Sequence, residues 1–235
     1  MDITHYGHSA VLVTYAGGSG GGGCRLLIDP GAFSRPEIRD LRDLDALIIT
    51  HQHPDHVDPD ILAALLAGNP GVRLLAEPQT AEILACDGPE GLDPHQIEPL
   101  AAGHSIDVGH VRVTAAGGAH ATIHPAIPPV GNIAVILTHD GEPTFAHTGD
   151  SLVPHPEILG VDVLAFPVVA PWSKMQETID FLRIVRPGVA LPIHDAVASP
   201  PGRGIYMRQS AAHVPEGTEL RDWPDHHSLT FAREE

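Results

Sequence analysis

Short apolar runs alternate with polar and glycine-rich segments along the whole chain. Runs of four to eight such residues, bounded by Gly, Pro, Asn or Asp, are typical of buried strands. The segment 2–15 has this character but is interrupted at Gly7. Further strands are predicted at 24–29, 46–49, 72–76, 111–115, 132–138, 144–146, 161–166, 189–192 and 229–231.

Between several of these runs the apolar spacing changes to the period of an amphipathic helix. Asp58 is a typical N-cap, Pro59 a typical first helical residue, and Gly68 follows as a helix end. Further helices are predicted at 78–85, after Ser173, and at 206–212. Strands that alternate with helices predict an α/β fold. No element is assigned to 87–103.

Residues 17–23 are six glycines and one serine between two predicted strands. A phosphate-binding loop would be followed by a helix start and by Lys-Ser or Lys-Thr, whereas Cys24 and Arg25 follow here. The segment is therefore interpreted as a hairpin tip, and its function is left open.

Composition narrows the class of protein. The 235 residues are 43% hydrophobic but only 4% aromatic, so a large core must be built from Ala, Val, Leu and Ile. The formal charge of −17 repels polyanions, which disfavours nucleic-acid binding. The sequence shows neither a secretion signal nor an apolar run of membrane-spanning length, so we expect a soluble, cytoplasmic protein that binds no membrane.

The highest density of potential metal ligands follows the predicted strand at 46–49. His51, His53, Asp55 and His56 lie there within six residues. In an extended segment alternate side chains point the same way, so His51 and His53 can reach one ion. Asp55 and His56 come after a bend that Pro54 introduces and can face a second position. Imidazoles with a carboxylate suit zinc and related divalent ions. The alternative is a surface turn that is merely rich in histidine.

This H-x-H-x-D-H motif at a strand end resembles the signature of the metallo-β-lactamase fold superfamily. Gly-His-Ser-Ala at 7–10, Ile-Asp-Pro at 28–30, Gly-Asp at 149–150 and Pro-Ile-His-Asp at 192–195 are similar to its small lactonase-like, UPF0173-like hydrolases. The resemblance covers the chain in order and weakens between 80 and 105 and after 200. It implies a four-layer αβ/βα sandwich that forms a single domain over residues 1–235.

The resemblance also implies a ligand set for two divalent metal ions. His51, His53 and His120 would hold one ion; Asp55, His56 and His194 would hold the other. Asp150 would bridge them, and Asp29 would support the metal loop. Zinc is the expected metal, with manganese, nickel or iron as alternatives.

A hydrolase of this kind uses a metal-bound water or hydroxide as its nucleophile, and Asp55 would take up the proton. Among the branches of the superfamily that the sequence resembles, the small size and His53 point to one that acts on a small-molecule lactone, ester or phosphodiester. One alternative is a mononuclear iron oxidoreductase similar to persulfide dioxygenases; another is a metal-binding regulatory protein without catalysis. The oligomeric state is left open, a homo-oligomer included.

Several further residues near strand ends have two interpretations each. Lys174, the only lysine, and His124 would contact substrate or would simply be solvated. His5 and His8 are interpreted as hydrogen-bonding residues rather than metal ligands. His147 is left out of the ligand set, and no role is assigned to 226 and 227, both histidines.

Overall fold

The computed structural model describes residues 1–17 and 22–232. Within them lie four α-helices: α1 (Pro59–Gly68), α2 (Pro78–Asp87), α3 (Met175–Val185) and α4 (Pro200–His213). The strands are β1 (Asp2–His5), β2 (Val11–Tyr15), β3 (Cys24–Ile28), β4 (Ala46–Ile49), β5 (Arg73–Ala76), β6 (Ile97–Pro99), β7 (Ser105–Val108), β8 (Val111–Gly117), β9 (Ile133–Thr138), β10 (Phe145–His147), β11 (Val163–Pro167), β12 (Val189–Ile193), β13 (Glu219–Leu220) and β14 (Ser228–Thr230).

The strands form two mixed sheets of the same design. The first has the order β14-β1-β2-β3-β4-β5-β6 and the second the order β13-β12-β11-β10-β9-β8-β7. In each sheet an antiparallel part, joined by hairpins, continues into a parallel part, where helices or longer connections return the chain. Both sheets therefore present the carboxyl ends of several parallel strands at one edge.

Alternating side chains divide each central strand between two apolar layers. In β4, Ala46 and Ile48 pack into the core between the sheets, and Leu47 and Ile49 pack towards α1 and α2. In β11, Val163 and Ala165 face the same central core, and Leu164 and Phe166 pack towards α3. This layering confirms the predicted α/β four-layer sandwich.

Backbone hydrogen bonds join the two sheets close to the predicted ligands. The Ile133 N–H donates to the carbonyl of Thr50 (3.1 Å), which precedes His51. The His194 N–H donates to the carbonyl of His8 (2.9 Å) from the other direction. Loops from both sheets are thus held at fixed positions relative to each other.

The predicted elements are largely present, with shifted ends. The helix after Ser173 begins at Met175, because the Ser173 hydroxyl donates back to the carbonyl of Ala170 (3.3 Å) and Glu177 accepts from the Lys174 N–H (2.8 Å). The last helix begins at Pro200, six residues earlier than predicted. The hairpin of β2 and β3 is confirmed, whereas most of its glycine-rich tip, residues 18–21, lies outside the described residues.

None of the helices in residues 1–17 and 22–232 is long and apolar enough to cross a lipid bilayer.

Gly31 offers a test of how closely the fold encloses the metal loop. It is buried, and a Cβ atom at this position would overlap the backbone of Asp55 and His56. We expect Gly31→Ala to lower the free energy of unfolding by on the order of 3 kcal/mol and to weaken metal binding, because the loop must move. Denaturant unfolding and metal titration measure the two effects.

Gly204→Ala is the matched control, since a Cβ there meets only the flexible end of Arg208 within helix α4. An alanine inside a helix is neutral or stabilising by up to about 1 kcal/mol. Equal stabilities of the two variants would contradict the close packing of Gly31 against the loop.

Candidate metal centre

The predicted metal loop is a tight turn at the end of the fully buried strand β4. The N–H groups of His56 and Val57 both donate to the carbonyl of His53 (2.9 and 3.0 Å), which bends the chain after Pro54. The Ala32 N–H donates to the carbonyl of Pro54 (2.8 Å) and ties the turn to the segment after β3. The bend directs His51 and His53 to one side and the two residues after Pro54 to the other.

The first cluster contains His51, His53, His120 and Asp150, each with one donor atom within 4.8 Å of the others. The Nε2 atom of His51 lies 3.0 Å from Nδ1 of His53. His120 follows β8 and reaches Asp150, with 3.2 Å between its Nε2 and Oδ2. Each sheet thus contributes ligands to this cluster.

The second cluster contains His8, Asp55, His56 and His194, again within 4.8 Å of one another. His194 follows β12, and its Nε2 lies 3.5 Å from Oδ2 of Asp55. His8 lies in the loop between β1 and β2, with Nε2 3.1 Å from the same oxygen. The structure therefore brings together all seven predicted ligands in two adjacent groups and adds His8.

Asp150 lies between the two clusters. Its Oδ1 is 3.0 Å from Nε2 of His56, and its Oδ2 is 3.2 Å from Nε2 of both His194 and His120. The Asp150 N–H donates to the side-chain oxygen of Asn132 (2.9 Å), which fixes the carboxylate after the turn at Gly149. A carboxylate placed in this way can join two ions, which an imidazole cannot do.

In three of the imidazoles, a hydrogen bond at Nδ1 fixes the orientation of the ring. Nδ1 of His56 lies 2.7 Å from Asp29, Nδ1 of His120 lies 2.6 Å from the carbonyl of Ala121, and Nδ1 of His194 lies 3.0 Å from that of Val169. An oxygen beside Nδ1 places the hydrogen there. Each Nε2 lone pair is then directed into the cluster, as metal-binding histidines require.

Asp29 lies beneath the metal loop, where the sequence placed it. Its Oδ1 accepts from the Thr50 N–H (2.8 Å), and its Oδ2 accepts from the Thr50 hydroxyl (2.7 Å) and from His56 Nδ1. Asp29 is fully buried and has a positive φ of 52°. This carboxylate therefore connects the end of β4 with a member of the second cluster.

His8 was predicted to form hydrogen bonds, and both nitrogen atoms of its ring do so in the structure. It belongs to the second cluster by distance, but the Ala196 N–H donates to its Nδ1 (3.3 Å). An accepting Nδ1 places the hydrogen on Nε2, which then donates to Asp55. The ring is therefore oriented to hold the Asp55 carboxylate rather than to present a lone pair to a metal.

Charges inside the metal-free site stabilise one another. Burial alone would lower the pKa values of His56 and His194, but the neighbouring carboxylates outweigh it and raise the pKa of His194 to about 9. Burial would raise the pKa of Asp150, but the surrounding histidines hold it well below its ordinary value. For His51, burial dominates and lowers the pKa. These shifts favour a proton on His56 and on His194, and a metal ion that binds there would displace it.

The donor set fits divalent metal ions. Among the described residues, Oδ1 of Asp150 is buried without a hydrogen-bond partner, although His56 Nε2 is 3.0 Å away. A proton on His56 would lie between these two atoms, and a bound cation would take its place, so the contact suits either. Imidazole nitrogens with carboxylate oxygens are the ligands that zinc and its neighbours prefer.

Trp172 also belongs to the site and was missed in the sequence. It follows β11, and its indole N–H donates to Oδ2 of Asp150 (2.9 Å). Its ring lies edge-on to His120 and to His194, at centroid distances of 5.8 and 6.2 Å. Trp172 thus contacts both clusters and the carboxylate between them. The available signal was an aromatic residue just past a predicted strand end.

The two predicted substrate contacts differ in position. Lys174 is 81% exposed, and its nearest acidic partner is Glu177, with 3.8 Å between Nζ and Oε1. No hydrogen bond or ion pair within residues 1–17 and 22–232 connects it with either cluster, and its contact with substrate stays a prediction. His124 lines a pocket together with His120 and stays a candidate.

Three further histidines have structural contacts: His5, His147 and His227. His5 stacks on Trp223 at 4.8 Å and bonds through Nε2 to the carbonyl of His8 (2.9 Å), and burial lowers its pKa to about 4. His147 is fully buried, accepts from the Gly149 N–H and bonds to the carbonyl of Ser9. His227 accepts from the His5 N–H through its carbonyl (2.9 Å).

Comparisons with known proteins agree with this arrangement. The family model of the beta-lactamase superfamily domain matches residues 2–194. Protein Rv0786c of Mycobacterium tuberculosis is 39% identical over 98% of this chain and 100% of its own length. A UPF0173 metal-dependent hydrolase of Methylobacterium nodulans is 27% identical over 83% of this chain and 84% of its own. The structure of Igni18, a metallo hydrolase from Ignicoccus hospitalis, has the same fold, with a TM-score of 0.71, 18% identity and 99% coverage of both chains.

Asp29→Asn tests the support from beneath the loop. The amide keeps the shape but offers one acceptor oxygen, so its NH2 must face Thr50 or His56 Nδ1, which both donate to Asp29. We expect metal affinity to fall by about 10- to 100-fold while the fold persists. Competition with a chromogenic chelator measures the affinity, and circular dichroism measures the fold.

Asp58→Asn is the matched control, because Asp58 caps helix α1 through the Ile61 N–H and asparagine caps equally well. Metal affinity should stay at the wild-type value in this control. An unchanged affinity in Asp29→Asn would show that Asp29 does not orient His56.

Proposed function

This chain belongs to the metallo-β-lactamase superfamily as a metal-dependent hydrolase related to the UPF0173 proteins, and we propose that it works with two divalent ions on a small-molecule lactone, ester or phosphodiester. We further propose zinc as the metal, because the ligands are imidazole nitrogens and carboxylate oxygens. The position of Asp150 supports two ions most strongly, since its oxygens lie 3.0 and 3.2 Å from histidines of both clusters.

Each proposed ion would have its own protein ligands. His51, His53 and His120 would hold one ion, and Asp55, His56 and His194 the other, with Asp150 shared. Bound divalent ions of this kind lower the pKa of water towards neutrality and polarise the oxygen of a carbonyl or phosphoryl group. The protein itself supplies a buried, fixed ligand set, so the ligands need little rearrangement.

Asp55 is the proposed proton acceptor. Burial would raise its pKa, but hydrogen bonds from His194 and His8 lower it; an ion held by His194 would replace the first of these bonds and would likewise favour the ionised carboxylate. Both bonds involve Oδ2, which leaves Oδ1 to accept a hydrogen bond from an attacking water. Asp55 is also less buried than Asp150, with 23% of its side chain exposed against 4%. Oδ1 would therefore orient the water and take its proton.

The completeness of the second cluster favours a hydrolase over a one-iron oxidoreductase. An oxidoreductase of that type needs two histidines, one carboxylate and open positions. Here Asp55, His56 and His194 form a further group beside such a set. The same completeness is unexpected for a regulatory protein that has no chemistry to perform.

The test is hydrolysis by the metal-loaded protein, before and after chelation. p-Nitrophenyl acetate, a γ-lactone and bis(p-nitrophenyl) phosphate represent the three substrate types. We expect turnover of at least one of them, its loss after chelation and its return on adding zinc. Asp150→Asn should lose at least about 100-fold in kcat/KM, more than residues that only orient a ligand.

Asp107→Asn is the matched control, since the Asp107 side chain is exposed and, within the described residues, pairs with Arg112 on the surface. This variant should keep wild-type turnover. Full activity in Asp150→Asn, or turnover that survives chelation, would contradict the proposal. A single bound iron with thiol-dependent oxygen uptake would indicate the oxidoreductase instead.

A further inference from the structure

A small pocket lies directly beside the first metal cluster. It has a volume of about 160 Å³ and is lined by residues 120–125 and 127–130, so a single connection between β8 and β9 forms it. His120 is both a wall of this pocket and a member of the cluster. A group bound in the pocket would therefore be adjacent to the reacting atoms.

The loop that forms the pocket is fixed at both ends. The His120 N–H donates to the carbonyl of Val130 (3.1 Å), and the Ala121 N–H donates to that of Asp150 (2.9 Å). On the far side, the Gly131 N–H donates to the side chain of Gln79 in α2 (2.8 Å). Three prolines within 121–130 further restrict the backbone. The pocket is consequently organised before any ligand binds.

The loop carries no acidic or basic side chain apart from its two histidines, and it exposes two large aliphatic side chains. Residues 120–130 contain no Lys, Arg, Asp or Glu. Ile123 and Ile127 are 39% and 47% exposed, although large aliphatic side chains are usually buried. His124 accepts from the Ala126 N–H at Nδ1 (3.0 Å), which leaves its Nε2–H as a donor at the edge. Such a surface suits an apolar group and offers no cation to a phosphate.

We propose that this pocket is the subsite for an apolar arm of the substrate, and that the substrate is a neutral ester or lactone rather than a phosphodiester. An apolar cavity of about 150 Å³ accepts a group the size of benzene, so an arm of about six carbons fits. The inference rests on the proposed hydrolase function and narrows its substrate class. Ile123 and Ile127 are the specificity residues that it names.

The test compares p-nitrophenyl esters of acetic, butyric, hexanoic and decanoic acids with bis(p-nitrophenyl) phosphate on the metal-loaded protein. We expect kcat/KM to rise by up to about fourfold for each methylene up to hexanoate and then to level off, because each buried methylene contributes a similar free energy. Ile127→Ser should remove most of this preference for hexanoate over acetate. Ile184→Ser, which changes a similarly exposed isoleucine on the outer helix α3, should retain it.

Binding of a neutral amide gives a readout that does not depend on hydrolysis. Hexanamide should bind at least tenfold more tightly than acetamide to the wild type and to Ile184→Ser, but not to Ile127→Ser, as measured by calorimetry. If hexanamide binds in this way and no ester is hydrolysed, the subsite stands and the hydrolase proposal fails. If esters of every length react equally and both amides bind alike, the subsite is wrong and the hydrolase stands. Faster hydrolysis of the phosphodiester than of any ester would overturn the substrate class.

Discussion

The carboxylate of Asp150 connects the two halves of the molecule at the site. It follows β10 of the second sheet, and its oxygens face His56 from the first sheet and His120 and His194 from the second. Asp150 is almost completely buried, and the potential ligands around it are mainly imidazoles. Ionised groups this deep in a protein are costly unless opposite charges compensate them. Protonated histidines, or bound cations in their place, would supply that compensation, which would couple metal binding to folding stability.

The layered fold explains why so many ligands meet in one place. A central core packs the two sheets face to face, and the last apolar residues of β4 and β12 belong to the layers of that architecture. His194 follows β12 directly and His51 follows β4 after one residue, so the core determines where the two histidines leave the sheets. Hydrogen bonds between the sheets, such as that from the His194 N–H to the His8 carbonyl (2.9 Å), then keep the two groups in register. Apolar packing therefore determines where the backbone of each ligand lies. The oxygen atoms that are hydrogen-bonded to Nδ1 determine how the histidine rings are oriented.

The sequence was most informative where chemistry and local pattern coincide. The strand at 46–49 and the helix start at Asp58 and Pro59 bracket the metal loop, and the structure confirms both elements. Trp172 was missed because it lies in an irregular loop, where neither the helical nor the strand period applies. The earlier start of α4 was missed although Ser199 caps the helix and Pro200 occupies its first position, because Pro200-Pro201-Gly202 suggested a loop. Strand β6, within the unassigned 87–103 segment, has only three residues and ends in proline, which leaves almost no periodic signal.

The central claim is that two ions flank Asp150, and metal analysis tests it most directly. Protein purified without chelators or a metal-affinity column should contain about two zinc ions per chain. Anomalous diffraction from the same preparation should place one ion among His51, His53 and His120 and the other among Asp55, His56 and His194. A single ion per chain after full metal loading, or density in only one of the two clusters, would contradict the account.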